Sequence, residues 1–382
     1  MSSPKLKVLT IVGTRPEIIK LSRVLEALDQ HTDHVLVHTG QNYDFELNEV
    51  FFQDLGIRKP DHFLDVASES VAETIAAVIV RSDAVLEAEK PDAVLLYGDT
   101  NSCLAVISAK RRKIPVFHME AGNRSFDERV PEELNRRIVD HLSDVNMTNS
   151  EHARRYLISE GLRPELVIKT GSPMREVLEY TMPGIEYSDV LRRLDLRERG
   201  YFVVSCHREE NVDQPKQLLA LLNELHELHD EYQLPIIVST HPRTRRRLEE
   251  LGTEYKSPGR IWAKPFGFLD YIALQRSARC VISDSGTITE ESSILGFPAV
   301  MVRDAHERPE GADVGALPFV GLTEGRLAEA VRMVVTQNES SPTARTVHDY
   351  DADRVSQAVV RIILSYTGYV NRVVWRKYET SD

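Results

Sequence analysis

Short apolar runs rich in β-branched residues alternate with longer amphipathic segments along almost the whole chain, and few architectures accommodate that rhythm. KVLTIVG, HVLVHTG, AVLLYGD, IPVFHME, DVNMTNS and LVIKTG occupy the first half, with PEIIKLSRVLEALDQ and SVAETIAAVIVRSDAVLEAEK among them. Strands buried on both faces read as continuous apolar runs, and intervening helices supply the crossovers of a parallel sheet. After a polar stretch between residues 170 and 200 the rhythm restarts with YFVVSCH, PIIVSTH, RIWAKP, RCVISDS and PAVMVRD. Helical patterns such as QPKQLLALLNELHELHDEY and TITEESSILG lie between these runs, and no repeat of fixed period interrupts them. The expected fold is α/β, with two doubly wound Rossmann-like domains. A chain of 382 residues also exceeds what one core usually fills.

The bulk numbers exclude several classes. Lys and Arg number 47 against 59 Asp and Glu, a formal net charge of −12. That balance argues against nonspecific nucleic-acid binding, which needs a basic footprint, although it permits local basic pockets for phosphate. Cys103, Cys206 and Cys280 lie far apart with no CxxC spacing, so they form neither a disulfide framework nor a metal site. The N-terminal apolar run is too short for a secretory segment, and no stretch approaches a membrane-spanning length. A soluble cytoplasmic protein is expected.

In doubly wound sheets ligands bind outside the carboxyl ends of the strands, so what each strand runs into is informative. The first set ends in GTRPE, TGQN, YGDTN and HMEAGNR, the second in CHREEN, THPR, DSGTITEE and RDAHERPE. GTRPEIIK opens a helix with Pro16 where a missing N–H is tolerated. Arg15 and Lys20 would then stand near a helix N-terminus, either as an anion site or as ordinary solvated cations. GTRPE is not a GxGxxG fingerprint, so no dinucleotide cofactor is indicated.

Ser285, Gly286 and Thr287 would start a helix whose free N–H groups could meet a phosphate, and Glu291 could accept from ribose hydroxyls. The same Ser-Gly-Thr is also a good helix cap. Arg308 could pair with a diphosphate or sit in a surface ion pair. His118 and His207 follow no metal-ligand spacing and fit structural or acid–base roles better than a metal site.

Asp99 and Glu120 close neighbouring apolar runs and could perturb each other, as acid–base work requires. Asp99 could instead cap a helix. Glu120 is followed by Ala121-Gly122 and has no such excuse. Glu132 follows Pro131 at a helix start, where an acid also suits the dipole.

GTRPE at 13–17, GDT at 98–100, HxEAG at 118–122, PEExNR at 131–136, HREEN at 207–211, SDSG at 283–286 and ERPE at 307–310 occur in order. Together they resemble the non-hydrolysing UDP-N-acetylglucosamine 2-epimerase family over most of the chain. The resemblance implies the glycosyltransferase-B-like fold, two Rossmann-like domains facing a central cleft. It places an acid–base domain over 1–175, a UDP-binding domain over 176–360 and a helical segment over 361–382 that packs back on the first domain. It implies Asp99, Glu120, Glu132 and His207 as catalytic residues. Arg15, Lys20, Tyr271, Ser285, Gly286, Thr287, Glu291 and Arg308 become UDP and phosphate contacts. No cofactor and no metal are implied; the partners are a UDP-activated 2-acetamido sugar, UDP and a second copy in a homodimer.

The implied reaction removes the C2 hydrogen and expels UDP from C1, then restores both with C2 inverted. Departures from common members are informative: HMEAGNRSFDERVPEELNR replaces the HVEAGLRT type, TGQN stands at 39–42, Tyr271 stands where Phe is common, and KTGSPMREVL spans 169–178. These are similar to the branch that forms UDP-N-acetyl-L-fucosamine from UDP-2-acetamido-2,6-dideoxy-L-talose for surface polysaccharide. The TGQN change weakens the expectation of allosteric activation by UDP-N-acetylglucosamine. The alternatives, in order, are a UDP-N-acetylglucosamine/UDP-N-acetylmannosamine 2-epimerase, a hydrolysing 2-epimerase and a glycosyltransferase of the same fold. Arg124, Asp127 and Arg129 remain candidates for sugar contact or loop scaffolding.

Overall fold

The structure, a computed structural model, describes residues 5–40, 52–240, 242–252, 259–303, 308–322, 325–340 and 346–377. Two compact units divide the chain, residues 1–180 with 349–382 in one and residues 181–348 in the other.

The first unit carries β1 (Lys7–Val12), β2 (Asp33–His38), β3 (His62–Phe63), β4 (Ala93–Tyr97), β5 (Val116–Met119), β6 (Val145–Thr148) and β7 (Val167–Lys169). They form one parallel sheet in the order β3-β2-β1-β4-β5-β6-β7. The second unit carries β8 (Phe202–Ser205), β9 (Ile236–Ser239), β10 (Arg260–Ala263), β11 (Cys280–Ser283), β12 (Ala299–Val302) and β13 (Phe319–Val320). These too are parallel, in the order β10-β9-β8-β11-β12-β13. In each sheet the first strand has its second and fourth as neighbours, so strand order reverses there. That reversal opens a crevice at the carboxyl ends of β1 and β4 in one unit, and of β8 and β11 in the other.

The helices that frame these edges are α1 (Arg15–His31), α2 (Pro131–Leu142), α3 (Met174–Tyr187), α4 (Phe268–Ser277), α5 (Thr287–Leu295) and α6 (Val355–Val373). β4 and β5 are buried at every position, as expected for strands covered on both faces. Leu9, Ile11, Val94, Leu96 and Val116 form part of one core; Phe202, Val204, Ile236, Ile282 and Val300 form part of the other.

The unit boundary falls inside α3, between Tyr180 and Thr181, rather than at 175. A helix begun at Met174 carries the chain past the expected point. The return to the first unit occurs at Asp349, ahead of the expected 361. There the Asp349 carboxylate pairs with Lys169 at 2.6 Å, and the Ser172 N–H donates to the Asp349 carbonyl. Gly171, at φ +83°, admits this approach, because a Cβ there would stand 2.3 Å from the Ala352 Cβ. α6 then lies against α1, burying Val355, Val359, Val360, Ile363, Thr367 and Val370 at helical spacing.

Candidate functional site

In the first unit, the turns leaving β1, β4 and β5 bring most of the expected residues to one sheet edge. Gly13 and Thr14 lead into α1, which Arg15 and Pro16 begin. Lys20 lies within α1 and is sealed from solvent, with 1% exposure. Its ammonium lies 2.6 Å from Glu120 Oε2. The same oxygen accepts from the Tyr97 hydroxyl at 2.8 Å and from Asn149 Nδ2 at 3.2 Å. Thus Glu120 is held by groups from α1, β4 and the end of β6. Its own backbone is left-handed, at φ +58°, a conformation that costs free energy in a residue other than glycine. Gly122, at φ +80°, follows, and a Cβ there would meet the Ala153 carbonyl oxygen at 2.5 Å. The HMEAG motif therefore has a backbone reason for its glycine.

Asp99 is held separately. Arg136 Nε donates to its Oδ2 at 2.7 Å, while Asn135 Nδ2 donates to its carbonyl at 2.9 Å. Each carboxylate has its own cation, Arg136 beside Asp99 and Lys20 beside Glu120. Both Arg136 and Asn135 come from α2, which Pro131 starts. Glu133 on the same helix is buried and accepts from Arg136 Nη1, Ser125 N and Ser125 Oγ, each at 3.0–3.1 Å. Glu132 beside it is half-buried, and its side chain has no hydrogen-bond or ion-pair partner among the described residues.

The charged loop between β5 and α2 resolves into two kinds of residue. Arg124 is 2% exposed and pairs with Asp140 and Glu160, each at 2.7 Å, which makes it scaffolding. Asp127 and Arg129 pair with each other, with the Arg129 side chain 85% exposed. His118 is internal as well: Nδ1 lies 2.9 Å from Asp140 Oδ1 and Nε2 lies 2.8 Å from the Gly98 carbonyl. Burial pushes the Asp140 carboxyl up, but its bonds to His118 and Arg124 outweigh that and hold it below the usual carboxylate range.

Sequence reasoning missed Glu17, which is 2% exposed. One oxygen accepts from the Gly13 and Thr14 N–H groups, the other from the Thr100 and Ser102 hydroxyls. Burial is the largest influence and raises its pKa to about 7 against those four donors. Tyr97 and Asn149 were also missed, although a scan for polar side chains at strand ends would have found both.

In the second unit the organising group is Asp284, fully buried just after β11. Its Oδ2 accepts from the His207 and Arg208 N–H groups at 2.8 Å each and from Asn211 Nδ2 at 3.2 Å. It fixes the turn after β8, leaving the His207 ring 43% exposed with Nδ1 3.4 Å from Asp284 Oδ1. Ser285 and Gly286 precede α5, which starts at Thr287, and the Ser285 and Thr287 hydroxyls lie 3.0 Å apart. Glu291 is 6% exposed and accepts from Gln275 Nε2 at 2.8 Å. Desolvation first, then the nearby Glu291, raises the Tyr271 phenol well above its ordinary range. Arg308 is not a surface residue: it is 6% exposed and lies 3.3 Å from the fully buried Glu290. Glu307 of the ERPE motif and Gln41 and Asn42 of TGQN lie outside the described residues.

Two doubly wound parallel sheets, each gathering polar residues at its strand carboxyl ends, define a glycosyltransferase-B-like α/β protein. The family model described as UDP-N-acetylglucosamine 2-epimerase matches residues 26–364. The chain belongs to that family and is an isomerase. Its structure is similar to that of UDP-N-acetylglucosamine 2-epimerase from Rickettsia bellii, with 56% identity, 98% of this chain and 100% of that one covered, and a TM-score of 0.92. It is similar to the Methanocaldococcus jannaschii UDP-GlcNAc 2-epimerase in complex with UDP-GlcNAc and UDP, at 32% identity, 94% and 100% coverage, and a TM-score of 0.86. A Pseudomonas aeruginosa relative, the UDP-2,3-diacetamido-2,3-dideoxy-D-glucuronate 2-epimerase, is 34% identical over 86% of this chain and 92% of its own. No described helix is long and apolar enough to cross a membrane.

Proposed function

We propose that this chain inverts C2 of a UDP-linked 2-acetamido sugar by eliminating and re-adding UDP, and that the sugar is UDP-2-acetamido-2,6-dideoxy-L-talose, giving UDP-N-acetyl-L-fucosamine. The observation that carries the reaction class is the pair of carboxylates just past the ends of the neighbouring strands β4 and β5, Asp99 on Arg136 and Glu120 on Lys20. A proton leaves C2 for a carboxylate, the C–H electrons form the C1–C2 double bond, and the C1–O bond breaks with its electrons on UDP. The reverse step returns a proton to the opposite face of C2 while a diphosphate oxygen rebonds to C1. Two acid–base groups and a neutralised leaving group are required.

The roles divide between the units. Asp99, Glu120 and Glu132 exchange protons. Glu132, with no partner among the described residues, needs no ion pair broken before it does so. Lys20 tunes Glu120, and Arg15 contacts phosphate. His207 meets the leaving diphosphate, which the N-terminus of α5 with Ser285, Gly286, Thr287 and Arg308 neutralises. Glu291 and Tyr271 hold the nucleoside. Assembly as a homodimer in the cytoplasm belongs to the same proposal.

Support for the 6-deoxy sugar comes from the HMEAGNRSFDERVPEELNR segment and the KTGSPMREVL phrase. The Rickettsia bellii and Methanocaldococcus jannaschii relatives, both UDP-N-acetylglucosamine 2-epimerases, favour a second reading, UDP-N-acetylglucosamine and its C2 epimer. Incubation in heavy water with each UDP-sugar, followed by NMR at C2, separates the two. Deuterium entering only the 6-deoxy sugar supports the first reading. Entry only into UDP-N-acetylglucosamine replaces it with the second, and no entry into either removes the epimerase reading.

A further inference from the structure

Glu17 is a buried carboxylate to which the reaction above gives no task. It is nonetheless the shared acceptor of two turns that carry different functional residues. Its Oε2 takes the N–H groups of Gly13 and Thr14, which lead into Arg15; its Oε1 takes the hydroxyls of Thr100 and Ser102, directly after Asp99. The Thr100 and Ser102 hydroxyls lie 2.7 Å from each other, closing the cluster. β1 and β4 are adjacent, so the two turns are neighbours, yet strand pairing between these strands extends only from Val8–Ala93 to Thr10–Leu95. Beyond Thr10 the pairing no longer sets the relative height of Gly13 and Asp99. An ordinary helix cap would satisfy Gly13 and Thr14 and need nothing from β4; the two hydroxyls are what a cap does not explain. Burying a carboxylate is costly, and here four donors converge on it.

We propose that Glu17 is a positioning residue: it locks the Asp99 turn to the Arg15 turn and so fixes where the Asp99 carboxylate stands relative to C2. This deepens the reading of Asp99 as an acid–base group and rests on it. Arg136 fixes the other side of Asp99, so the carboxylate is set from two directions, by a cation on its oxygen and a clamp on its backbone. A misplacement of about 1 Å at such a group can cost on the order of 10²-fold in rate without touching ligand affinity.

The test is Glu17→Gln, which keeps size and one acceptor but puts an NH2 against N–H or O–H donors. C2 deuterium exchange is measured at saturating substrate and UDP affinity by calorimetry without substrate, each beside wild-type protein. The wild-type arm answers for the proposed function, and the inference is read from the ratio of variant to wild type. The expected result is a fall in kcat on the order of 10²-fold with UDP affinity unchanged. Amide hydrogen exchange should accelerate at Thr100–Cys103 while β6 and β7 keep their protection. Ser102→Ala, which leaves Glu17 and its helix cap intact, should lower kcat in the same sense and add little to Glu17→Gln when the two are combined. It also carries the test if Glu17→Gln does not fold. A lowered melting temperature with wild-type kcat, or equal loss of kcat and UDP affinity, would overturn the proposal. So would fully additive effects of the two substitutions.

Discussion

The Lys20 ammonium sits 2.6 Å from Glu120 Oε2, with the two side chains only 2% and 12% exposed. The interaction spans one hundred residues of sequence and ties α1 to the carboxyl end of β5. Sequence motifs place Lys20 with the phosphate contacts; the structure places it on a carboxylate. Lys20→Met decides between these roles. If Lys20 serves Glu120, C2 exchange falls by about 10²-fold while UDP affinity holds. Loss of the buried cation also leaves the Glu120 charge to the neutral Tyr97 and Asn149 donors, a cost of up to about 3 kcal/mol readable by urea denaturation. A fall in UDP affinity with little change in kcat would return Lys20 to the phosphate.

Arg136 is shared between Asp99 at 2.7 Å and the buried Glu133 at 3.0 Å. Arg136→Leu would leave the Glu133 side chain, 1% exposed, with the more distant Arg137 at 3.7 Å as its cation and loosen the Ser125 turn it holds. The expected stability loss is about 3 kcal/mol, and Glu133→Gln in the same chain should recover part of it. No recovery in that double variant would show that packing of the Arg136 stem, rather than its charge, supports α2.

Much of this was legible because parallel strands announce themselves. Every strand of four or more residues described here coincides with an apolar run, whereas β3 and β13, two residues each, are too short to carry periodicity. The strand-end rule likewise placed Asp99, Glu120, His207 and Asp284 at carboxyl edges. It could not supply partners. That Lys20 meets Glu120, or that Glu17 reaches Ser102, depends on how strand order 3-2-1-4-5 brings distant turns together, and spacing along the chain says nothing of it. The loop from Asn123 to Val130 was opaque for the opposite reason. Its charges look alike in sequence, yet Arg124 is internal and Arg129 is almost fully exposed.

Two buried groups should pull stability in opposite directions between about pH 4.5 and 6.5. Burial lowers His38 from 6.5 to about 4, so the unfolded chain takes up a proton in that window and the folded one does not. His38 therefore contributes stability that is lost as pH falls from 6.5 towards 4. Glu17 is raised to about 7, so its contribution is present below 4.5 and lost as pH rises through 7. Each effect is on the order of 3 kcal/mol over its full range, and together they flatten the wild-type profile. His38→Gln should leave a stability that declines as pH rises, and Glu17→Gln one that declines as pH falls. Denaturation series from pH 4.5 to 7.5 that run parallel for all three proteins would sink the assignment.

Asp284 offers a test confined to the second unit. It gathers two backbone N–H groups and Asn211 Nδ2 on one buried oxygen, and Asn211 in turn donates to the Val302 carbonyl at 3.0 Å. The turn after β8 is thereby tied to the ends of both β11 and β12. Asp284→Ala leaves three donors facing a void, each costing about 1 kcal/mol or more. The turn should relax first, because repositioning His207 and Arg208 towards water is the cheapest way to satisfy those donors. UDP affinity, measured by calorimetry, should then fall about tenfold, which corresponds to 1.4 kcal/mol. Amide exchange should speed up at His207 and Arg208 while β9 and β10 keep their protection. Wild-type affinity in a folded Asp284→Ala protein would mean that His207 and its turn do not hold the nucleotide. The leaving-group role would then have to pass to Arg308 and the N-terminus of α5.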